Sequence, residues 1–189
     1  WVDGTPAVGS EYVYVGSNDG SLYALDKATG TEEWAFTGGG MRAPTLVDDS
    51  VYVPSDDGNI YAIDAATGTE IWTFETDGRP RFCPGVADGA LYLGTNDSNM
   101  IYAIDTETGD EEWAFDAPDS VSCPPTIVDG SVYVGTSQYS SHFYSLDAAT
   151  GTEEWRFTDA SGSIWVSAAV TSETAYIPCD DNSLYALDI

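Results

Sequence analysis

A motif returning about every 40 residues, four short strands in each return, and a third strand apolar at successive positions together predict an all-β fold. The class is a β-propeller of four-stranded antiparallel blades, in about five repeats. The motif, Ala-x-Asp-x-x-Thr-Gly-x-x-x-Trp, supplies Ala24, Asp26, Thr29, Gly30 and Trp34, then Ala62, Asp64, Thr67, Gly68 and Trp72. Its third copy supplies Ala103, Asp105, Thr108, Gly109 and Trp113. A fourth opens on Ser145 and keeps Asp147, Thr150, Gly151 and Trp155; a fifth begins at Ala186-Leu187-Asp188. The five aspartates are spaced by 38, 41, 42 and 41 residues.

The second repeat shows how each element arises. Ala43 to Val47 is a short strand stopped by Asp48-Asp49, and Ser50 to Val53 follows as far as the turn cluster Pro54 to Gly58. Asn59 to Asp64 is the third strand, Ala65 to Gly68 a turn, and Glu70 to Phe74 the outer strand. All four are rich in β-branched and aromatic residues and punctuated by Gly, Asp and Asn. The third strands read Leu22-Tyr23-Ala24-Leu25, Ile60 to Ile63, Ile101 to Ile104, Phe143 to Leu146 and Leu184 to Leu187. Consecutive apolar residues mean that both faces of the sheet are covered. A sandwich, with one wet face, predicts alternation instead. The blades run approximately 1–36, 37–75, 76–116, 117–158 and 159–189, the last incomplete, with first strands starting near Pro6, Pro44, Pro84, Pro125 and Ala168. Trp1 lies too close to Pro6 to supply the missing outer strand. The expectation is therefore a fragment of a larger ring, or a five-bladed ring with a short last blade, self-associating through unpaired terminal blades.

The motif has a physical task. Asp and Thr bond backbone groups of the turn, and Gly accepts positive φ there. Gly and Ala leave a bare surface on which an indole buries its apolar area while its N–H finds a backbone acceptor. In this the chain resembles the tryptophan-docking motif of the quinoprotein-like (PQQ-like repeat) propellers, BamB-type scaffold proteins included, over essentially all 189 residues. The resemblance implies that the Trp of one blade docks on the turn of the next, that rings of seven or eight blades are common, and that an extracellular or cell-surface location is favoured. Ser145 in place of Ala is expected to make the fourth docking surface tighter and more polar. The resemblance leaves two functions. One is a non-catalytic scaffold with no cofactor. The alternative is part of a PQQ-dependent dehydrogenase, with the quinone at the ring centre over a Trp, under a disulfide of adjacent cysteines, beside calcium and a catalytic Asp. Only Trp165 maps loosely onto that set, and no Cys-Cys pair is present.

Charge excludes other classes. The 32 Asp and Glu against 5 Lys and Arg give a net charge of −27. Nucleic acid needs a basic surface, which this chain cannot assemble, and anionic lipid is disfavoured for the same reason. Self-repulsion on this scale calls for screening, and the screening length falls to ~3 Å at molar salt. A halophilic source accounts for the excess. No run approaches the ~18 apolar residues of a membrane span.

Candidate binding residues lie outside the repeat. The segments joining one blade's outer strand to the next inner strand are 37–42, 75–82, 116–122 and 158–165, expected around the central channel. They carry Arg42, Arg79, Arg81 and Trp165, a candidate site for an anionic ligand or a protein at the channel face. The alternative is that these arginines pair with local carboxylates such as Asp77 and Asp159. The Asp-rich turns near Asp19, Asp57, Asp97 and Asp181 are too short for the six to eight oxygens calcium takes, and suffice as hairpin turns. The longer fourth hairpin carries Gln138, Tyr139 and His142, the last an expected surface residue. Cys83 and Cys123 begin neighbouring inner strands and bridge only if their Cα atoms fall within ~7 Å; otherwise they are buried thiols. Cys179, placed like Ser17 and Ser55, is expected to fill the core.

Overall fold

The computed structural model describes residues 1–2, 4–137 and 141–189, all as strand, turn or loop. Sheet 1 is formed by β1 (Ala7–Val8), β2 (Tyr12–Gly16), β3 (Ser21–Asp26) and β4 (Glu32–Thr37). Sheet 2 is β5 (Thr45–Val47), β6 (Ser50–Pro54), β7 (Asn59–Asp64) and β8 (Glu70–Glu75). Sheet 3 is β9 (Gly85–Ala87), β10 (Ala90–Gly94), β11 (Met100–Asp105) and β12 (Glu111–Asp116). Sheet 4 holds β13 (Ser120–Val121), β14 (Thr126–Val128), β15 (Ser131–Ser137), β16 (Phe143–Asp147) and β17 (Glu153–Phe157). Sheet 5 has β18 (Ala169–Val170), β19 (Thr174–Cys179) and β20 (Ser183–Asp188). Every pairing is antiparallel and joins strands in chain order, except at β13. These are propeller blades. The inner strands begin one residue after the prolines expected to open them, since proline carries no N–H for the ladder.

The chain forms two compact units, Trp1–Pro84 with sheets 1 and 2 and Gly85–Ile189 with sheets 3, 4 and 5. In the first, Leu22, Ala24, Val51, Val53 and Ile63 form the core between sheets 1 and 2. In the second, Ile101, Ala103, Val132, Val134 and Leu146 fill the space between sheets 3 and 4, and Ile164, Ala175 and Ile177 that beside sheet 5.

Register sets a repeated cross-strand row. Ala7, Tyr14, Ala24 and Trp34 stand opposite one another across sheet 1. Thr45, Tyr52, Ala62 and Trp72 do so in sheet 2, and Gly85, Tyr92, Ala103 and Trp113 in sheet 3. A bulge follows each motif Ala: Leu25 pairs with Glu32, leaving Glu33 as the extra residue. That kink aims the indole away from its own sheet.

Two features depart from the sequence reading. Segment 116–122 contains a strand: Ser120 pairs with Ser137 and Val121 with Thr136. Val121 is fully buried and β-branched, which suits it to a strand, and β15 is long enough to reach it. Ser145 lies across from Trp155 within its own sheet, and its hydroxyl donates to Glu154 Oε2 at 2.6 Å. It therefore does not belong to the docking surface that receives Trp113, and the expected tightening there does not arise. Sheet 5 has three strands, and Tyr176 is 40% exposed where Tyr14 and Tyr92 are 3%.

Candidate functional site

The motif turns are built from their own side chains. Asp64 Oδ1 accepts from Thr67 N at 2.8 Å and Thr67 Oγ1 at 2.7 Å. Asp26 with Thr29, and Asp147 with Thr150, repeat this within 0.1 Å. Asp105 accepts from the amides of Glu107 and Thr108. The Thr29 and Thr67 hydroxyls, then their amides, hold the Asp26 and Asp64 carboxyls below their ordinary value; for Asp105 the Thr108 amide is the main cause. Each Gly closes its turn by donating N–H to the Asp carbonyl, at positive φ.

On these turns the indoles sit. Trp34 Nε1 donates to Ala65 O at 3.2 Å, and a Cβ on Gly68 would come within 2.6 Å of the Trp34 ring. Trp113 Nε1 donates to Ala148 O at 2.9 Å, over Gly151, whose Cβ would likewise stand 2.6 Å from the ring. A second donor shares each acceptor. Tyr14 Oη donates to Ala65 O at 3.0 Å and Tyr92 Oη to Ala148 O at 3.2 Å. Each Tyr tilts against its Trp, with ring centroids 5.8 and 5.9 Å apart. Sequence reasoning missed this tyrosine, although its recurrence on every second strand was a signal. Further out, Phe36 meets Tyr61, Phe115 meets Tyr144 and Phe157 meets Tyr185 edge-on or tilted at 4.8 to 5.5 Å.

The Asp-rich hairpins do more than turn. Asp57 Oδ1 caps Asn59 N at 3.0 Å; its Oδ2 accepts from Tyr61 Oη and from Gly39 N, both at 2.9 Å. Asp181 bonds Ser183 N, Tyr185 Oη and Ser161 N in the same pattern. One carboxylate thereby fixes its own hairpin and pins the preceding connecting segment. In the fourth hairpin His142 Nδ1 meets Tyr144 Oη at 3.3 Å, so this half-buried His supports a tyrosine and is not a plain surface residue. Gln138 and Tyr139 lie outside the described residues.

Arg42 belongs to the same lashing. Its Nε and Nη2 donate to Asp56 at 2.9 and 2.6 Å, with both side chains part-buried. Its partner is thus Asp56, neither Asp77 nor Asp159. Arg79 and Arg81 are exposed on segment 75–82. In the second unit Trp165 is 46% exposed beside Val166 at 51%. Cys83, Cys123 and Cys179 are all free thiols, so the bridge between the first two does not form. Burial pushes the Cys123 thiol up to about 11, and Gly135 N donates to its sulfur. Cys179 is half-buried and donates to Gly162 O at 3.1 Å; it is a loop tie, not a core filler.

Arg42 is committed to Asp56, and among the described residues no three His, Cys, Asp or Glu stand together as a metal set.

Among solved structures the chain is similar to BamB from Moraxella catarrhalis (TM-score 0.84, 18% identity), over 98% of this chain and 57% of that one. It is similar to the computationally designed Ika8 protein (0.85, 16%), over 97% and 57%. The quinohemoprotein alcohol dehydrogenase from Comamonas testosteroni follows (0.81, 19%), over 100% and 41%. The chain thus spans less than two thirds of each, and these likenesses establish the fold. No curated protein matches. No helix among the described residues is long and apolar enough to cross a membrane. The family model described as outer membrane protein assembly factor BamB matches residues 1–83 and 58–189, and the chain belongs to that family of PQQ-like repeat propellers.

Proposed function

We propose that this chain is a non-catalytic, salt-adapted binding module that offers its connecting segments to a protein partner or a small anion, at the cell surface or outside it. Trp165 carries the reading. Its indole lies half in solvent beside exposed Val166, whereas the motif residues Trp72 and Trp113 are 8% exposed. A large exposed aromatic with an apolar neighbour is the kind of anchor on which protein interfaces concentrate their energy. In the first unit, exposed Arg79 and Arg81 supply cations in a chain of net charge −27. The motif residues are spent on turns and docking, which leaves the segments between sheets to carry recognition. The family's description as an assembly factor supports a role in holding other proteins.

The second reading is a quinoprotein dehydrogenase segment, favoured by the likeness to the Comamonas enzyme. Titration with PQQ and calcium in molar KCl, followed by tryptophan fluorescence and dye-coupled alcohol oxidation, separates the two. The scaffold reading expects neither saturable quenching nor turnover; turnover overturns it. Salt adaptation is tested by the melting temperature against KCl, which is expected to rise steadily; equal stability in dilute buffer refutes it.

A further inference from the structure

The hairpins joining the second and third strands of sheets 2 and 3 are built differently. In sheet 2 side chains make the ties. Asp56 holds Arg42, Asp57 bonds the Gly39 amide, and the Asn59 carboxamide donates to Asp57 Oδ1 at 3.1 Å and to Tyr61 Oη at 3.3 Å. In sheet 3 the hairpin, 95–99 against 55–58, is one residue longer, and its main chain is what the next segment grips. Ser120 Oγ donates to Asn96 O at 2.6 Å, Val121 N to Thr95 O at 3.3 Å and Ala117 N to Asn99 O at 3.0 Å. Thr95 Oγ1 braces the loop from within, meeting Ser98 Oγ at 2.7 Å and accepting from Met100 N at 2.9 Å. The Asn96 carboxamide stands where Asp56 stands in sheet 2, half-buried beside exposed Asp97. It bonds no other side chain or backbone group among the described residues.

Asn96-Asp97-Ser98 has the form Asn-x-Ser, with x other than proline, that N-glycan transferases accept. Asn18, Asn59, Asn99 and Asn182 carry Gly20, Tyr61, Ile101 and Leu184 at the third place, so the triplet is single in the chain. We propose that Asn96 is an N-glycosylation site. The transferase joins Asn96 Nδ2 to C1 of the first sugar of a lipid-phosphate-linked oligosaccharide. The bond from that C1 to the phosphate oxygen breaks, the phosphate leaves with the electron pair, and Nδ2 gives up one proton to a base of the transferase. The fold bears this without loss, because the hairpin is fastened through the carbonyls of Thr95, Asn96 and Asn99 and through Thr95 Oγ1. The same modification at Asn59 would compete with two existing bonds. The inference rests on the proposed location at or outside the cell surface, since this triplet is used on exported chains.

The test uses the protein isolated from its own cells after separation into cytosol, envelope and medium. It is digested, and fragmentation mass spectra of the peptide spanning 96–98 locate any added mass. The expected result is a hexose-containing mass on Asn96 and none on the other four asparagines. Ser98→Ala, introduced in the chromosomal gene, is expected to abolish the modification, because it removes the third-position hydroxyl and leaves Asn96 in place. Ser98→Thr, which keeps a hydroxyl there, is expected to retain it, and decides the matter if the alanine variant does not fold. Bare Asn96 in protein recovered from the envelope or the medium overturns the site and leaves the location standing. Protein confined to the cytosol overturns the location, and the site with it. A glycan that persists in Ser98→Ala, or is lost in Ser98→Thr, overturns recognition through the triplet.

Discussion

The turns Asp26–Gly30 and Asp64–Gly68 share their Asp, Thr and Gly, their hydrogen bonds and their φ, yet one lies open and the other is covered by an indole. The turn therefore needs no neighbour to form; local Asp, Thr and Gly chemistry suffices. What the neighbour adds is packing, and this separation of local from inter-sheet energy is open to mutation.

The largest expected effect is Trp34→Ala or Trp113→Ala, each lowering stability by about 3 kcal/mol in urea unfolding at molar KCl, through the cavity and the lost bond to the turn carbonyl. Gly68→Asn is expected to cost about 2 kcal/mol, because its Cβ overpacks the Trp34 ring. The same change at Gly30 is expected to stay within about 0.5 kcal/mol. Equal losses at the two glycines break the comparison. Tyr14→Phe is expected to cost about 1 kcal/mol, leaving Ala65 O with Trp34 alone among the two donors.

Smaller and pH-dependent is the hairpin carboxylate. Burial by itself raises Asp57, but bonds from Ser55, Tyr61, Asn59 and Gly39 outweigh it and hold the group below its ordinary value. Its contribution is thus fully present above the unfolded carboxyl range and is lost as pH falls through the lower folded value. Asp57→Asn is expected to flatten the acid limb of the urea midpoint between roughly pH 5 and 2; an unchanged slope refutes the assignment. In the native state Cys123, buried with its thiol pushed up to about 11, is expected to resist alkylation at neutral pH, while half-buried Cys179 reacts faster.

How much of this was legible in sequence follows from what side chains encode. The blade strands and motif turns were, because Asp, Thr, Gly and Trp act at fixed spacing. The shared acceptor was not: Ala65 O and Ala148 O are backbone atoms, and only the recurring second-strand tyrosine hinted at a second donor. Strand β13 was hidden because two residues carry no periodicity. Arg42 read as a ligand candidate because its partner Asp56 lies in a hairpin whose approach depends on tertiary structure.

Two donors on one carbonyl measure the same gap twice, once from the second strand and once from the fourth. A residue added to the five-residue turn or to either strand breaks both readings at once, so growth is confined to places outside that gauge. The segments between sheets are such places, and new recognition loops grafted there are expected to leave the docked turns intact.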